Sequence, residues 1–499
     1  MRTIFLGILC TSLMTGISAT AEPAAEAEKP ASAAEKSTPP VVHERKVTIA
    51  GNPISYRVTA GKLDLNDVEG KKTASIFHVS YQRIADENNR NRPVIFAFNG
   101  GPGSSSVWLH LGFLGPKIVA LDKIGIEPPQ PPVIVKDNSA SILDVADLVF
   151  IDPVSTGYSR AADPKKASDF HGLNADVESV GDFIRRWTTE NKRWASPKFL
   201  LGESYGGIRA VALANELQSR YGMSLNGVIL LSSLLDFNTI QDAPGLDLPY
   251  EVFFPTYVST AHFHGKIKGN AEQLRREALT FAETSYAAAL RRGIDLSENE
   301  AIEIANALER QTSIPSEEWL KANLRISPSK FRAELLRAEG KVVGRFDSRV
   351  AWGAVDLASS FANYDPSYSL AYGAFSTAML DYLGRDLGYQ EDTPYEILTS
   401  DVQPWKWDAS NEVVNVSNEL GKAMRDNPKM KVLIMSGLLD MATPAEGMDH
   451  SIRHLFDLPA ALRPNIAKKY YSAGHMFYLN DADLQQSRKD LLDFLKNSQ

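Results

Sequence analysis

A serine stands between two glycines, directly after a short apolar run, in residues 199–209, FLLGESYGGIR. An apolar run of this length predicts a buried strand, and the residues after the serine predict a helix. Because Gly202 and Gly206 carry no side chain, the backbone can turn sharply between the two elements. A strand, a tight turn and a helix around G-x-S-x-G form a nucleophile elbow, which exposes the hydroxyl of Ser204 at the carboxyl end of the strand.

The pentapeptide by itself also fits an ordinary glycine-flanked turn. Whether Ser204 is a nucleophile therefore depends on whether the sequence also offers a base and an acid to activate it. A serine hydroxyl becomes a nucleophile only when a base takes its proton and an acid orients that base. In a chain with this elbow the expected order is serine, acid, histidine. Asp440 follows the apolar run KVLIMSG, and His475 follows a later apolar segment. Asp440 alone fits a turn and His475 a helix cap, but their order and placement together predict a catalytic triad of Ser204, Asp440 and His475.

A glycine-rich turn, NGGPGSSS, follows the apolar run of residues 94–98. Acyl transfer needs backbone N–H groups directed at the oxyanion; such a turn supplies one, and the residue after the nucleophile supplies the other. The turn also fits a loop that is merely tight. If residues 202–206 form a nucleophile elbow, we expect the amides of Gly101 and Tyr205 to form an oxyanion hole.

Continuous apolar runs alternate with helical segments through much of the chain. Residues 94–98, a run that ends near Asp152 and residues 198–203 predict buried strands, and residues 176–187 carry apolar side chains at helical spacing. Alternation of this kind predicts an α/β fold whose central sheet is mainly parallel and covered on both faces. Short alternating runs before residue 84 predict a meander of early strands.

The pattern changes from residue 262 onward, where charged amphipathic helices follow one another without strands. We interpret residues 262–370 as a mainly helical insertion that caps the active site. The core of the fold then comes from two parts of the chain, residues 43–261 and residues 371–499.

The first 21 residues hold one positive charge, an apolar run too short to span a bilayer and a small-residue exit, so they predict a cleaved signal peptide. Residues 22–42 are rich in Ala, Glu, Pro, Lys and Ser, which predicts a disordered linker. A lipoprotein anchor would need Cys10 at the end of the apolar run, but it lies in the middle. We therefore expect a periplasmic or secreted protein without a membrane anchor.

Cys10 is the only cysteine, so the mature chain is expected to use neither thiol chemistry nor disulfides. The formal net charge is −8, which argues against nucleic acid or an anionic membrane as a partner and favours a small or peptidic substrate.

Two histidine pairs are compatible in spacing with metal ligation. His262 and His264 form H-x-H, and His450 and His454 stand one helical turn apart. Neither pair has a nearby carboxylate in a known metal pattern, so surface or hydrogen-bonded histidines are the preferred interpretation. We expect neither a metal site nor a cofactor.

Five segments occur together in an order and spacing that resemble the serine carboxypeptidase family (peptidase family S10), peptidases of the α/β-hydrolase fold that remove C-terminal residues. They are FNGGPGSSS, FIDPVSTGYS, GESYGG, GLLD and AGHM. The resemblance covers about residues 74–479, and GPGSSSVWLHLGFLGP is most similar to the bacterial branch.

The resemblance implies Ser204 as nucleophile, His475 as base and Asp440 as its partner, with Gly101 and Tyr205 at the oxyanion. It also implies that Asn99 and Glu203 bind the terminal carboxylate of a peptide substrate. A carboxyl that faces a carboxylate must be protonated to donate a hydrogen bond, which fits Glu203 mainly at low pH.

Three departures from the family pattern leave the substrate open. Ser104 stands where eukaryotic members have a cysteine, Phe113 stands where they have an acid that would share a proton with Glu203, and GHMFYLND replaces the usual GHMVP ending. An esterase, amidase or acyltransferase on the same scaffold is therefore an alternative. A non-catalytic binding protein is a further one, against which the intact triad argues.

Overall fold

The apolar runs of the sequence form strands in a computed structural model that describes residues 38–84, 91–409 and 413–498. The predicted signal peptide, residues 1–21, and residues 22–37 of the predicted linker lie outside the described residues. The strands are β1 (Val41–Ile49), β2 (Asn52–Asn66), β3 (Lys72–Arg83), β4 (Val94–Phe98), β5 (Lys117–Val119), β6 (Val135–Asp137), β7 (Asp147–Ile151), β8 (Arg160–Ala161), β9 (Lys198–Glu203), β10 (Gly227–Leu231), β11 (Lys341–Val343), β12 (Ala351–Gly353), β13 (Lys431–Gly437) and β14 (Ile466–Tyr471).

Helices follow most of the central strands. They are α1 (Val107–Leu109), α2 (Leu173–Glu190), α3 (Tyr205–Tyr221), α4 (Leu248–Phe263), α5 (Ala271–Phe281), α6 (Ala287–Arg292), α7 (Glu298–Thr312), α8 (Ser316–Lys321), α9 (Pro328–Glu334), α10 (Pro366–Asp381), α11 (Ser417–Asp426), α12 (Ala445–Arg453) and α13 (Asp481–Asn497). No helix in the described ranges is long and apolar enough to cross a bilayer.

One ten-stranded sheet organises the described chain, in the order β1-β2-β3-β7-β4-β9-β10-β13-β14, with β8 beside β3. The strands from β7 to β14 in this order pair in parallel, whereas β1, β2 and β3 pair as antiparallel neighbours. The predicted mainly parallel sheet with an early meander is thus confirmed. Since parallel strands end at one edge, the segments after β4, β9, β13 and β14 meet there.

Helices bury both faces of this sheet. Along β4, Ile95 and Ala97 pack into one apolar cluster together with residues of α1, α10 and α13. The alternate residues Phe96 and Phe98 pack into a second cluster with α2, α3 and α11. This period of two explains why the strand is apolar throughout: each face of the sheet has its own core.

A third apolar cluster holds the helices α4 to α9 together, around Phe254, Tyr257, Trp319 and Phe331. We refer to this group of helices as the cap, after the helical insertion predicted from the sequence, and the short hairpin of β11 and β12 follows them in the chain.

Two of the predicted domain boundaries fall inside helices of the structure. Residue 262 lies inside α4 and residue 370 lies inside α10, so each boundary divides a hydrogen-bonded helix. Helix α4 is apolar on nearly all sides, which is typical of a helix packed on the central sheet. In the structure it is buried among the helices of the cap instead. Helix α10 packs against the central sheet rather than in the cap. At the start of the fold, β1 begins at Val41, within the predicted linker.

Candidate active site

Ser204 lies at the corner between β9 and α3, with φ 61° and ψ −129°. A positive φ is unfavourable for a residue with a side chain and persists only where the surroundings hold it. Here the N–H of Ser204 donates to the carbonyl oxygen of Leu231 at 3.0 Å, and its carbonyl oxygen accepts from the N–H of Gly207 at 2.9 Å and from the hydroxyl of Ser233 at 2.6 Å. The strained corner is therefore bonded to β10 and the segment after it.

Asp440 and His475 follow the ends of β13 and β14, and the structure brings their side chains together. Nδ1 of His475 lies 2.7 Å from Oδ2 of Asp440. Oδ1 of Asp440 accepts from the N–H groups of Ala442 and Thr443, at 2.7 and 3.0 Å. Both side chains are almost completely buried. The carboxylate is held by its own turn, so it fixes the orientation of the imidazole.

Burial by itself lowers the pKa of His475, but the charge and hydrogen bond of Asp440, with a smaller effect of Glu203, outweigh it and raise the pKa above its ordinary value. A raised pKa makes the imidazole a stronger base. The protonated form that arises when it accepts a proton from a serine is also stabilised.

Ser204, His475 and Glu203 all line one cavity of about 300 Å³. Within the described residues, the hydroxyl of Ser204 forms no hydrogen bond. The cavity gives the hydroxyl, the imidazole and the buried carboxyl access to the same small molecule.

The glycine-rich turn after β4 lies directly against the amino end of α3. A Cβ on Gly100 would lie 2.6 Å from the nitrogen of Tyr205 and 2.7 Å from the carbonyl oxygen of Glu203, so only glycine permits this approach. Gly101 follows with φ 103° and also lines the cavity. The N–H of Tyr205 opens helix α3, where the helix supplies no acceptor. Gly101 and Tyr205 thus both line the cavity that contains Ser204.

Glu203 is 3% exposed, and Oε2 accepts a hydrogen bond of 2.7 Å from the hydroxyl of Tyr478. Burial raises its pKa to about 7, against the opposing effects of His475, Tyr478 and Asn99. About half of the Glu203 side chains are therefore protonated at neutral pH, and a protonated carboxyl can donate a hydrogen bond.

Asn99 lines the cavity beside Glu203. Its Oδ1 accepts from the N–H of Leu109 at 3.1 Å, which leaves its amide NH₂ as the donor group. The backbone carbonyl oxygen of Asn99 accepts a hydrogen bond from Nη1 of Arg209 at 2.6 Å. The same guanidinium donates to the carboxylate of Asp176 at 2.7 Å. A buried ion pair therefore ties the turn after β4 to α2 and α3.

Sequence reasoning missed three residues of the site. Thr443 Oγ1 lies 2.8 Å from Oδ2 of Asp440 and from the backbone carbonyl oxygen of Ser232, and 3.1 Å from Nδ1 of His475. Tyr478 reaches Glu203, and Asp176 anchors Arg209 and the hydroxyl of Tyr205. Thr443 follows the predicted acid by only three positions, so its role could have been suspected from the sequence. Tyr478 and Asp176 contact residues that are distant in the sequence, so no local pattern indicates their roles.

Three of these four histidines place a ring nitrogen at a backbone carbonyl oxygen. His262 and His264 each place Nε2 at a backbone carbonyl oxygen, at 3.0 and 2.7 Å. His450 and His454 stack on each other at 4.0 Å. Across the described ranges, no three His, Cys, Asp or Glu side chains lie close enough together to bind a metal ion.

Comparisons with known proteins agree with this architecture. Two similar proteins are serine carboxypeptidase-like 45 and serine carboxypeptidase-like 2 from Arabidopsis thaliana, 28% identical over 208 residues and 25% identical over 195 residues. These matches cover 40% and 37% of this chain and 41% of each relative, so they span about two fifths of the relatives' length.

A solved structure with the same fold is that of Kex1(delta)p, a prohormone-processing carboxypeptidase from Saccharomyces cerevisiae. The TM-score is 0.55 with 17% sequence identity, over 88% of this chain and 91% of that chain. A likeness at this identity shows an α/β-hydrolase fold, as the sequence predicted. The family model of the serine carboxypeptidases matches residues 52–476, nearly the whole described chain, and this protein therefore belongs to the serine carboxypeptidase family.

Proposed function

We propose that this protein is a serine carboxypeptidase that releases the C-terminal residue of peptides through an acyl-enzyme on Ser204. The observation that carries the proposal is that one cavity contains Ser204, the hydrogen-bonded pair of Asp440 and His475, and the buried carboxyl of Glu203. A hydrolase that recognises a free C-terminus needs a nucleophile and a carboxylate-binding group in the same cavity.

The terminal carboxylate of the substrate binds to the amide NH₂ of Asn99 and to the protonated carboxyl of Glu203. Both groups are donors, so they suit a carboxylate acceptor. An ionised Glu203 would repel the substrate instead. Binding at this place sets the last peptide bond of the substrate in front of Ser204.

Acylation starts when Oγ of Ser204 attacks the carbonyl carbon of that bond and Nε2 of His475 takes the hydroxyl proton. The amides of Gly101 and Tyr205 stabilise the oxyanion of the tetrahedral intermediate. The C–N bond then breaks as His475 returns the proton to the leaving nitrogen, and the amino acid departs. Water, deprotonated by His475, attacks the ester, which releases the shortened peptide and restores Ser204.

An esterase, amidase or acyltransferase is the second candidate, and one observation favours it. Phe113 occupies the family's acid position and stacks on Tyr478, with ring centroids 5.1 Å apart. Glu203 therefore has a phenol as neighbour rather than a second carboxyl, and its capacity to hold a proton next to a carboxylate is smaller than in a carboxyl pair.

The two candidates differ in their use of a free C-terminus. The test is hydrolysis of one blocked dipeptide as free acid and as C-terminal amide, from about pH 4 to about pH 8, for the wild type, Glu203→Gln and Glu251→Gln. Glu251 is a partly buried glutamate with a raised pKa on α4, outside the cavity, so it serves as the matched control. A free-acid preference that fades as pH rises and changes only in Glu203→Gln supports the carboxypeptidase. Equal or faster turnover of the amide refutes it and leaves the esterase or amidase.

Export and the bacterial branch are also part of the proposal. Residues 1–21 have the composition of a signal peptide, and GPGSSSVWLHLGFLGP is most similar to bacterial members, so we propose a periplasmic or secreted enzyme whose substrates are peptides. Amino-terminal sequencing of the protein from the periplasmic fraction of an expressing bacterium tests this. A first residue near position 22 supports export, and an intact Met1 in the cytoplasmic fraction contradicts it.

A further inference from the structure

The loop between β11 and β12, residues 344–350, is bonded through its backbone to the segments that carry the triad. The carbonyl oxygen of Arg345 accepts from the N–H of Met441 at 3.0 Å, next to Asp440. The carbonyl oxygen of Phe346 accepts from the N–H of His475 at 2.6 Å. The position of this loop relative to the triad is therefore set by main-chain bonds.

Arg345 and Phe346 line the same cavity as Ser204. The guanidinium carbon of Arg345 lies 5.2 Å from the ring centroid of Phe346, and that ring lies 5.1 Å from the ring of His475. The positive charge of Arg345 slightly lowers the pKa of His475, against the stronger opposite effect of Asp440. The guanidinium thus stands close to the catalytic base.

The side chain of Arg345 forms no ion pair within the described residues. Asp347, two residues further along the chain, pairs with Arg349 at 2.6 Å, and Asp365 accepts the backbone N–H of Arg345 at 2.8 Å. Among the described residues that line the cavity, Arg345 is the only lysine or arginine. Arg345 therefore contributes a positive charge without an ion-pair partner to the lining of the cavity.

The position beside His475 decides which part of a substrate Arg345 meets. His475 returns its proton to the leaving nitrogen, so the leaving residue must lie next to His475. On this side the rings of Trp108, Phe346 and Tyr368 form a continuous wall, with Tyr368 6.5 Å from Trp108 and 6.1 Å from Phe346. A side chain that extends along this wall ends near the guanidinium.

We infer that Arg345 is a specificity-determining residue that binds a carboxylate on the side chain of the leaving residue, so that substrates ending in glutamate or aspartate are preferred. The inference rests on the proposed function, in which Asn99 and Glu203 take the terminal carboxylate and leave Arg345 for a second one. The guanidinium is exposed to solvent, so we expect a preference of roughly fivefold at low salt.

The experiment compares kcat/KM for two blocked dipeptides that end in Glu or Gln, each as free acid and as C-terminal amide. The variants are Arg345→Met, Arg345→Lys and, as control, Arg291→Met, which removes an exposed arginine of α6 in the cap outside the cavity. We expect the wild type and Arg291→Met to prefer Glu over Gln in both series. Arg345→Met should reduce that ratio to about one, and Arg345→Lys should restore part of it.

A measurement on the wild type alone tests the inference even if a variant does not fold. Raising the salt concentration from about 0.02 M to about 0.5 M should lower the ratio of Glu to Gln, because the pair is exposed and screened. A wild-type ratio of one, or a ratio that Arg345→Met leaves unchanged, overturns the inference. So does a loss in Arg345→Met that is equal for Glu and Gln and confined to the free acids, because Arg345 would then bind the terminal carboxylate.

The same data separate this inference from the proposed function. If the amides are cleaved as fast as the free acids while the Glu preference still depends on Arg345, the carboxypeptidase proposal fails and the role of Arg345 stands.

Discussion

The hydroxyl of Tyr478 donates a hydrogen bond of 2.7 Å to Oε2 of Glu203, the residue next to the candidate nucleophile. The ring of Tyr478 lies flat on Phe113, at an interplanar angle of 10°. Phe113 and Tyr478 therefore pack together, and Tyr478 supplies a neutral donor to Glu203. A donor stabilises the ionised form of Glu203, whereas burial stabilises the protonated form.

Tyr478→Phe is expected to shift the pH dependence of free-acid recognition upward. The Tyr478 hydrogen bond lowers the pKa of Glu203, so its loss raises that pKa above about 7, and Glu203 stays protonated to higher pH. The midpoint of the ratio of free-acid to amide hydrolysis, measured against pH, reports this. Tyr471→Phe, which removes the hydroxyl of a tyrosine bonded to Asp490 outside the cavity, is the control. A midpoint that stays in place or falls contradicts the assignment.

Glu203→Gln is expected to stabilise the protein above neutral pH. The folded-state pKa of Glu203, about 7, lies above its ordinary value of 4.5, so the folded chain binds this proton more tightly than the unfolded chain. The resulting stability is complete below 4.5 and is lost as the pH rises through about 7. The free energy of unfolding of the wild type should therefore fall relative to that of Glu203→Gln, by up to about 3 kcal/mol. Urea denaturation at about pH 5 and about pH 8 measures this, and a gap that does not change with pH refutes it.

Thr443→Val is expected to lower kcat about tenfold with a smaller effect on KM, since it removes the hydroxyl that lies 2.8 Å from Oδ2 of Asp440 while keeping the side-chain shape. Thr443→Ser keeps the hydroxyl and should restore most of the rate. Steady-state kinetics on an ester substrate separates the two parameters. If valine and serine behave alike, the hydroxyl has no part in orienting Asp440.

Gly207→Ala should destabilise the elbow, because a Cβ there would lie 1.6 Å from Oγ of Ser233, which bonds to the carbonyl oxygen of Ser204. We expect a loss of about 1–3 kcal/mol and a lower kcat. Gly181→Ala in α2 is the matched control, since its Cβ would meet its nearest neighbour at 3.5 Å. That change should stabilise the protein by about 0.5–1 kcal/mol. Thermal unfolding of both variants checks the opposite signs, and two equal shifts contradict the prediction.

Much of the sheet could be predicted because its signals are local. Residues 94–98 were expected as a strand and form β4 with the same bounds, since five consecutive apolar residues suit a strand that is buried on both faces. The boundaries of the cap could not be found in this way. An apolar helix such as α4 looks the same in sequence whether it packs on the sheet or on other helices, and only the packed structure distinguishes the two.

The sequence by itself determined the identity and the order of the candidate triad, because a glycine-flanked serine after a strand and polar residues after two later strands are local patterns. Their catalytic roles, with those of Gly101, Tyr205, Asn99 and Glu203, remain predictions. Only the tertiary structure decided that Tyr478 pairs with Glu203 and that Arg345 faces the cavity without a partner. The physical reason is that a pKa or an unpaired charge depends on every group within a few ångströms, and those groups come from segments more than a hundred residues apart.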